Sequence, residues 1–352
     1  MIYKYILYFL MCLSILSHAS HYQWNFPQDH GAHPNFNTEW WYFTGHLESK
    51  MLNTFGFELT FFRLSPSSNI TLTNDWSPNT IYLAHFALTD ESMKTFTFFE
   101  RINRDSFAMA GSSQDTLNTW NGDWQVKLTS SNISLAAYTP TIQLNLNLNP
   151  KAPIILHGQQ GYSIKNHEAS QFSYYYSMPK LSGMGKLTIN NQQHHIKQAS
   201  VWFDHEFFNS NTNASTPQQQ SIGKNYTGWD WFAIQSDNQT NIMIAQVRAK
   251  DNNHFYFGTV STANGDTHYL DHTMINITVL DTWKSSKTKT HYPIKWQVSV
   301  PKHDINITIT PTLKNQELVL SHLNGLNYWE GRCSVTGTHP GDAYVELVGY
   351  KP

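Results

Sequence analysis

Hydrophobic and polar residues alternate along much of the chain. Isoleucine, leucine, valine or tryptophan occupies every second position in residues 142–148, 294–300 and 305–309. A period of two is typical of β-strands that bury one face, and no long stretch shows the 3.6-residue period of an amphipathic helix. Turn-forming pairs separate the alternating runs at Asn121-Gly122, Asn264-Gly265 and Pro340-Gly341. The pattern predicts an all-β protein whose antiparallel strands form a sandwich or barrel.

Chain length and an internal echo indicate two units. At about 150 residues per domain, a chain of 352 residues is expected to form two domains. The aromatic residues 40–43 begin an alternating stretch that ends at Arg63, and residues 229–232 begin a similar one that ends at Arg248. We predict an N-terminal β domain at residues 20–208, a polar linker at 209–227 and a C-terminal β-barrel domain at 228–352.

The first 19 residues have the pattern of a secretory signal peptide. Lys4 precedes an apolar run at residues 6–16, and Ser17-His18-Ala19 forms a small-x-small cleavage site. A membrane anchor is the alternative, but this run is far shorter than the roughly 20 residues that span a bilayer. We therefore expect an exported protein, periplasmic or secreted. Cys333 is then the one cysteine of the mature chain, and we expect it to be buried in a core.

Composition excludes some functions and favours others. The net charge of -2 offers no basic surface for nucleic acid. Charged residues and aromatic residues each make up 14% of the chain, and the aromatic residues include 12 tryptophans. Such aromatic content can fill cores or line a cavity for an apolar ligand. The residues that we predict to bind a ligand are Trp41, Tyr175, His205, Trp229, Trp231 and Tyr344.

Residues 201–207 carry the strongest candidate chemistry. In an extended strand, Trp202, Asp204 and Glu206 share one face, and the two carboxylates lie roughly 7 Å apart. Repulsion between them and any burial would raise one pKa, which suits a general acid. The alternative is a structural role, in which both carboxylates bond backbone amides at a barrel rim or pair with arginines.

Other catalytic patterns are weak. The sequence has no Gly-x-Ser-x-Gly elbow, dinucleotide fingerprint, phosphate-binding loop or His-Glu-x-x-His motif. Of the 18 histidines, the closely spaced ones occur at His30 and His33, at His194 and His195, and at His268 and His272. Two residues at a loose spacing are equally expected of a histidine-rich surface. We therefore predict neither a metal nor another cofactor.

Several segments together resemble one family, which contains hydroxyneurosporene synthase (carotenoid 1,2-hydratase) and AttH and consists of lipocalin-like secreted proteins. The longest segment is residues 26–45, with the sequence FPQDHGAHPNFNTEWWYFTG. Further segments follow in the family's order at residues 175–177, 202–206, 228–232, 328–331 and 341–350. The resemblance covers essentially the whole mature chain.

The resemblance implies two calycin-type antiparallel β-barrel domains packed together, with a ligand or active site near their interface. Carotenoid hydratases of this family protonate a terminal C=C bond and add water to the resulting cation. By resemblance, Asp204 is the acid and the rings of Trp202 and Tyr176 stabilise the cation. Glu206 or a tyrosine hydroxyl would orient Asp204 or the water.

These observations predict an exported, lipocalin-like protein that binds a lipid, isoprenoid or polyene. The first alternative is a lyase that resembles carotenoid 1,2-hydratase, and the second is a secreted hydrolase. The resemblance also implies a membrane transporter as a partner. The ligand and the oligomeric state stay open.

Overall fold

The computed structural model describes residues 22–65, 80–210, 222–320 and 327–352. The predicted signal peptide and residues 211–221 of the predicted linker lie outside these ranges. The described part is built from strands, and its 3₁₀ turns are short ones at Gln28–His30, Ser106–Ala108 and Pro301–His303. None of its helical segments has the length and apolar character needed to cross a membrane.

The N-terminal sheet is antiparallel and has the strand order β4-β3-β2-β1-β13-β12-β9-β8-β7-β6-β5, with β10 and β11 also paired to β12. Its strands are β1 (Thr38–Ser49), β2 (Thr54–Leu64), β3 (Ile81–Asp90), β4 (Thr95–Arg104), β5 (Ala110–Ser112), β6 (Asn118–Asn121), β7 (Trp124–Thr129), β8 (Asn132–Tyr138), β9 (Ile142–Pro150), β10 (Ile155–Leu156), β11 (Tyr162–Ile164), β12 (Phe172–Ile189) and β13 (Gln192–Phe208). The alternating residues 142–148 thus form most of β9, as predicted.

The C-terminal sheet is also antiparallel, with the order β17-β16-β15-β14-β23-β22-β20-β19-β18 and with β21 paired to β22. Its strands are β14 (Tyr226–Ser236), β15 (Asn241–Ala249), β16 (Phe255–Ser261), β17 (Thr267–Leu270), β18 (Asn276–Lys284), β19 (His291–Val300), β20 (Ile305–Pro311), β21 (Glu317–Leu318), β22 (Tyr328–Gly337) and β23 (Gly341–Val348). The predicted turn pairs lie between β6 and β7, between β16 and β17, and between β22 and β23.

Both sheets have the same connectivity around their first strand. β1 lies between β2 and β13, and β14 lies between β15 and β23. In each sheet, therefore, the first long strand pairs with the next strand and with the last one. The weak sequence echo between residues 40–43 and 229–232 falls on β1 and β14, at corresponding places in the two sheets.

The prediction of an all-β protein with two packed, antiparallel, lipocalin-like domains is confirmed. One sheet curls into a nearly closed barrel and the other into a half-barrel. The N-terminal core contains Trp41, Phe43 and Phe203. The C-terminal core contains Trp296 and Trp329, together with Cys333, which is buried as expected.

A third apolar cluster joins the two sheets. It contains Tyr42, Trp202 and Trp231. The opposite face of each of their strands packs into a barrel core. Hydrogen bonds cross the same boundary, and those of 2.7 Å or less include His85 to Tyr328, Thr89 to Gln316 and Ser200 to Gln235. Because β1, most of β14 and the second half of β13 are covered on both faces, most polar residues in these stretches are shielded from solvent.

Candidate active site

A cavity of about 330 Å³ lies between the two sheets, outside both barrel cores. This volume is typical of sites for small organic molecules. Strands of both sheets line it, and its wall is mainly apolar. Aromatic residues of the wall include Trp40, Tyr42, Tyr175, Trp229, Trp231 and Phe257. The two aromatic segments of the sequence echo therefore line one cavity from opposite domains. They contribute Trp40 and Tyr42 from β1, and Trp229 and Trp231 from β14.

Among the carboxyl groups that line the cavity, Asp204 has the most hydrogen-bond donors around it. Its side chain lies on β13 and is 3% exposed. Oδ1 accepts hydrogen bonds from the indole of Trp202, at 2.6 Å, and from the hydroxyl of Ser177. Oδ2 lies 2.7 Å from the hydroxyl of Tyr175, which in turn accepts a hydrogen bond of 3.1 Å from the indole of Trp231.

The surroundings of Asp204 suit an acid that works near neutral pH. Burial raises the pKa of Asp204 to about 7, against the lowering effect of the three hydrogen bonds, and the charge of Glu206 raises it further. A substantial fraction of Asp204 is therefore protonated at neutral pH. The same donors would stabilise the carboxylate that remains once the proton has left.

Behind Asp204, Ser177 connects the carboxyl group to a histidine. His157 Nε2 lies 2.6 Å from Ser177 Oγ, and His157 Nδ1 lies 2.9 Å from the hydroxyl of Thr259 on the other sheet. Burial lowers the pKa of His157 well below its ordinary value, so the ring is neutral. One consistent arrangement has Thr259 donating to His157, His157 to Ser177 and Ser177 to Asp204.

This serine–histidine contact is not positioned for hydrolysis. The contact is short enough for a nucleophile and its base, but Ser177 is fully buried, does not line the cavity and directs its proton to Asp204. A substrate in the cavity would meet Asp204 rather than Ser177. The geometry therefore gives the hydrolase alternative no support.

Glu206 lines the same cavity but is held differently. Its carboxylate forms a buried ion pair of 2.7 Å with Lys165 Nζ. That ammonium group also lies over the rings of Tyr175 and Phe257, at 4.7 and 4.6 Å from their centroids. The hydroxyl that bonds Asp204 comes from Tyr175, which fits the tyrosine alternative raised for orienting the acid.

A second carboxyl group faces the cavity from the C-terminal sheet. Glu346 on β23 lines the cavity, and its Oε2 accepts a hydrogen bond of 3.0 Å from the indole of Trp229. Burial raises the pKa of Glu346 to about 7, and the charges of Glu206 and Asp204 raise it further. The sequence analysis assigned no role to Glu346, because its prediction of an acid depended on the spacing of carboxylates within residues 201–207.

The structure does not bring every predicted site residue to the cavity. Trp41, Tyr176 and His205 point into the N-terminal barrel, because each lies one position away from a residue that faces the cavity. Tyr176 Oη lies 2.6 Å from His30 Nδ1, and the rings of Trp41 and His205 stack with centroids 4.9 Å apart. These three residues therefore belong to the barrel interior and not to the candidate site.

Trp202 and Tyr344 lie close to the cavity without lining it. Trp202 packs edge to face against Trp231, with ring centroids 6.3 Å apart, and acts on Asp204 through its indole N–H. Tyr344 is buried in the cluster between the sheets, and its hydroxyl has no hydrogen-bond partner among the described residues. Tyr175, Trp229 and Trp231 are the predicted ligand-binding residues that reach the wall.

Within the described ranges, one group of side chains has the composition of a metal centre. Ligand-type atoms of His33, Glu39 and His205 lie within 4.8 Å of one another inside the N-terminal barrel. Glu39 Oε1 lies 2.7 Å from His33 and 2.9 Å from His205, while Oε2 pairs with Arg63 at 3.2 Å. These are the contacts of a hydrogen-bonded ion-pair network, so we assign no metal to it.

The fold and the cavity define a class of two-domain, lipocalin-like proteins with a cavity between the domains. Within that class, the AttH-like family matches residues 17–350, and the chain belongs to it. A comparison with curated proteins finds no match to the chain.

Two solved structures are similar to the chain. One is a protein from Nitrosomonas europaea assigned to AttH, with 29% sequence identity and a TM-score of 0.82 over 94% of this chain and 98% of that chain. The other is kievitone hydratase from Nectria haematococca, with 16% identity and a TM-score of 0.69 over 95% of each chain. At that identity the second likeness extends to the fold alone.

Proposed function

We propose that this protein is exported, binds a hydrophobic isoprenoid-like molecule in the cavity between its domains, and adds water to a C=C bond of that molecule. The observation that carries the proposal is Asp204, a buried carboxyl group with a pKa of about 7 that opens onto an apolar, aromatic cavity. Strongly shifted pKa values cluster at functional sites, so a carboxyl group of this kind at a cavity is a candidate acid.

The proposed acid step starts at Oδ2 of Asp204. Oδ1 already accepts two hydrogen bonds, so the proton resides on Oδ2, beside the hydroxyl of Tyr175. Transfer of this proton to one alkene carbon leaves a cation on the other. The rings of Trp231 and Tyr42 would stabilise that cation, and a water molecule adds to it.

One of the two similar structures supports a hydratase as the reaction class through its name and its shared fold. The name of the Nectria haematococca protein refers to a hydratase of kievitone, and the two proteins share a fold. Kievitone is therefore a reasonable test compound. Linear terpenoid alcohols and prenylated phenols add other hydrophobic alkenes to the test.

The experiment incubates the purified full chain with this panel in D₂O and follows alcohol formation and carbon-bound deuterium by mass spectrometry. Wild type is expected to form an alcohol from at least one compound. Asp204→Asn should lose about 10²–10⁴-fold of that rate, as expected for removal of a general acid. Asp90→Asn is the matched control, because Asp90 is also buried but lies outside the cavity.

Ligand binding is measured separately by the fluorescence of N-phenyl-1-naphthylamine, an uncharged apolar probe. Asp204→Asn should bind this probe as wild type does, because the apolar wall is unchanged. Undiminished alcohol formation by Asp204→Asn would contradict the assigned acid. Probe binding with no alcohol from any compound would instead indicate a carrier.

A further inference from the structure

Asp204 and Glu346 occupy corresponding places in the two sheets. In the N-terminal sheet, Asp204 on the last strand is paired in register with Tyr42 on the first. In the C-terminal sheet, Glu346 on the last strand is paired in register with Trp231 on the first. Tyr42 and Trp231 are themselves corresponding positions of the aromatic echo, third in residues 40–43 and third in residues 229–232.

The two carboxyl groups also share one kind of hydrogen-bond donor, although the two donors lie on strands that do not correspond. Each accepts a hydrogen bond from an indole N–H, from Trp202 in one case and from Trp229 in the other. Both line the same cavity between the sheets. Equivalent positions in the two sheets thus each contribute one carboxyl group to this cavity.

The two groups differ in how fully they are bonded. Asp204 is contacted by three donors on its two oxygens. Glu346 is only half-buried, and its Oε1 has no hydrogen-bond partner among the residues that the structure describes. An unbonded carboxylate oxygen in a cavity can accept a hydrogen bond from water. The three donors around Asp204 can thus stabilise its carboxylate, and Oε1 of Glu346 can hold a water molecule.

We propose, on the basis of the function proposed above, that Glu346 is a second catalytic residue, which accepts the proton of the water that adds to the cation. Asp204 gives its proton to one alkene carbon, and the π electrons form the new C–H bond. The water oxygen then forms the C–O bond as its proton moves to Glu346. The proton finally returns from Glu346 to Asp204 through cavity water, so alkene and water are consumed and one alcohol forms.

This division of roles predicts a change of product and not only a loss of rate. In Glu346→Gln, Asp204 can still protonate the alkene, but no base activates the water. The cation should instead lose a proton back to Asp204, giving alkene that carries deuterium from D₂O or has a shifted double bond. We expect alcohol formation to fall at least about 100-fold, with alkene exchange retained. Asp204→Asn should lose both reactions.

Glu58→Gln is the matched control, since it makes the same change at a buried glutamate that does not line the cavity. It should keep wild-type alcohol formation, and Glu346→Asp should restore part of it. Normal alcohol formation by Glu346→Gln would overturn the role of Glu346 alone. The role of Glu346 would also be overturned if a folded Glu346→Gln lost both alkene exchange and alcohol formation. If wild type formed no product, both proposals would be overturned.

Discussion

Tyr42 and Trp231 meet edge to face across the boundary between the two sheets, with ring centroids 5.2 Å apart and an interplanar angle of 86°. They are corresponding residues of the two domains, and both line the cavity. Edge-to-face packing leaves part of each ring face uncovered. The contact therefore joins the domains and also builds the aromatic wall that a hydrophobic ligand would touch.

Replacing Trp231 with alanine should weaken binding of N-phenyl-1-naphthylamine. The change removes apolar wall area and the indole that donates to Tyr175. A loss of at least about tenfold in affinity is expected for an aromatic residue that is central to a binding site. Fluorescence titration of wild type and variant measures it.

Trp283→Ala is the control for this prediction. Trp283 lies on β18, at the edge of the C-terminal core and away from the cavity. Its removal should leave probe affinity unchanged. Equal affinity of wild type and Trp231→Ala would mean that the probe binds elsewhere.

The rate of alkene protonation should fall as the pH rises above about 7. Asp204 donates only in its protonated form, and burial raises the pKa of its carboxyl group to about 7. The ionisable groups that face it are Tyr175 on β12, Glu206 on β13 with its partner Lys165, and Glu346 on β23. A pH–rate profile of deuterium incorporation tests this, and a flat profile between pH 6 and about 9 would contradict Asp204 as the donor.

The period-two pattern of β13 indicates which of its side chains face the cavity. It separated Trp202, Asp204 and Glu206 from residues on the other face, and the structure places Asp204 and Glu206 at the cavity. The same rule separates Tyr175 from Tyr176, since neighbouring positions on a strand point to opposite faces. The prediction for Tyr176 depends on the family resemblance, and the same alternation places His205 on the opposite face of β13 from Asp204.

Other parts of the site could not be predicted from one sequence. Lys165 and His157 lie outside the alternating strands, in connections between strands of the first sheet. Glu346 is distant from Asp204 along the chain and meets it only through the pairing of β14 with β23 and the packing of the two sheets. No local pattern carries that information, because it depends on long-range register.

Glu58→Gln should make the protein more stable at mildly alkaline pH. Neither carboxyl oxygen of Glu58 has a hydrogen-bond partner among the described residues, and burial raises its pKa to about 8. The folded state therefore binds this proton more tightly than the unfolded state does. The resulting stability is present at low pH and is lost as the pH rises through about 8.

The difference in free energy of unfolding between Glu58→Gln and wild type should grow from pH 5 to pH 8, to on the order of a few kcal/mol. Glutamine has no proton to lose, so the variant lacks this part of the pH dependence. Urea unfolding followed by tryptophan fluorescence measures both proteins at each pH. Parallel stability curves would show that Glu58 is ionised without penalty in the folded protein.

Ser177→Ala should move the alkaline limb of the pH–rate profile upward. The hydroxyl of Ser177 donates to Oδ1 of Asp204, and this bond lowers the pKa of the carboxyl group by favouring its ionised form. Without it the carboxyl group keeps its proton to a higher pH.

The same variant leaves His157 Nε2 without its partner at 2.6 Å, which should cost about 1–3 kcal/mol of stability. Ser163→Ala is the control, because Ser163 is equally buried, its hydroxyl has no hydrogen-bond partner in the described part of the chain, and it does not contact Asp204. It should shift neither the profile nor the stability by a comparable amount. A structural contact alone changes the free energy of unfolding and not the pKa of the acid. If Ser177→Ala loses stability but keeps the pH–rate profile of wild type, then Ser177 supports His157 and the fold and does not tune the pKa of Asp204.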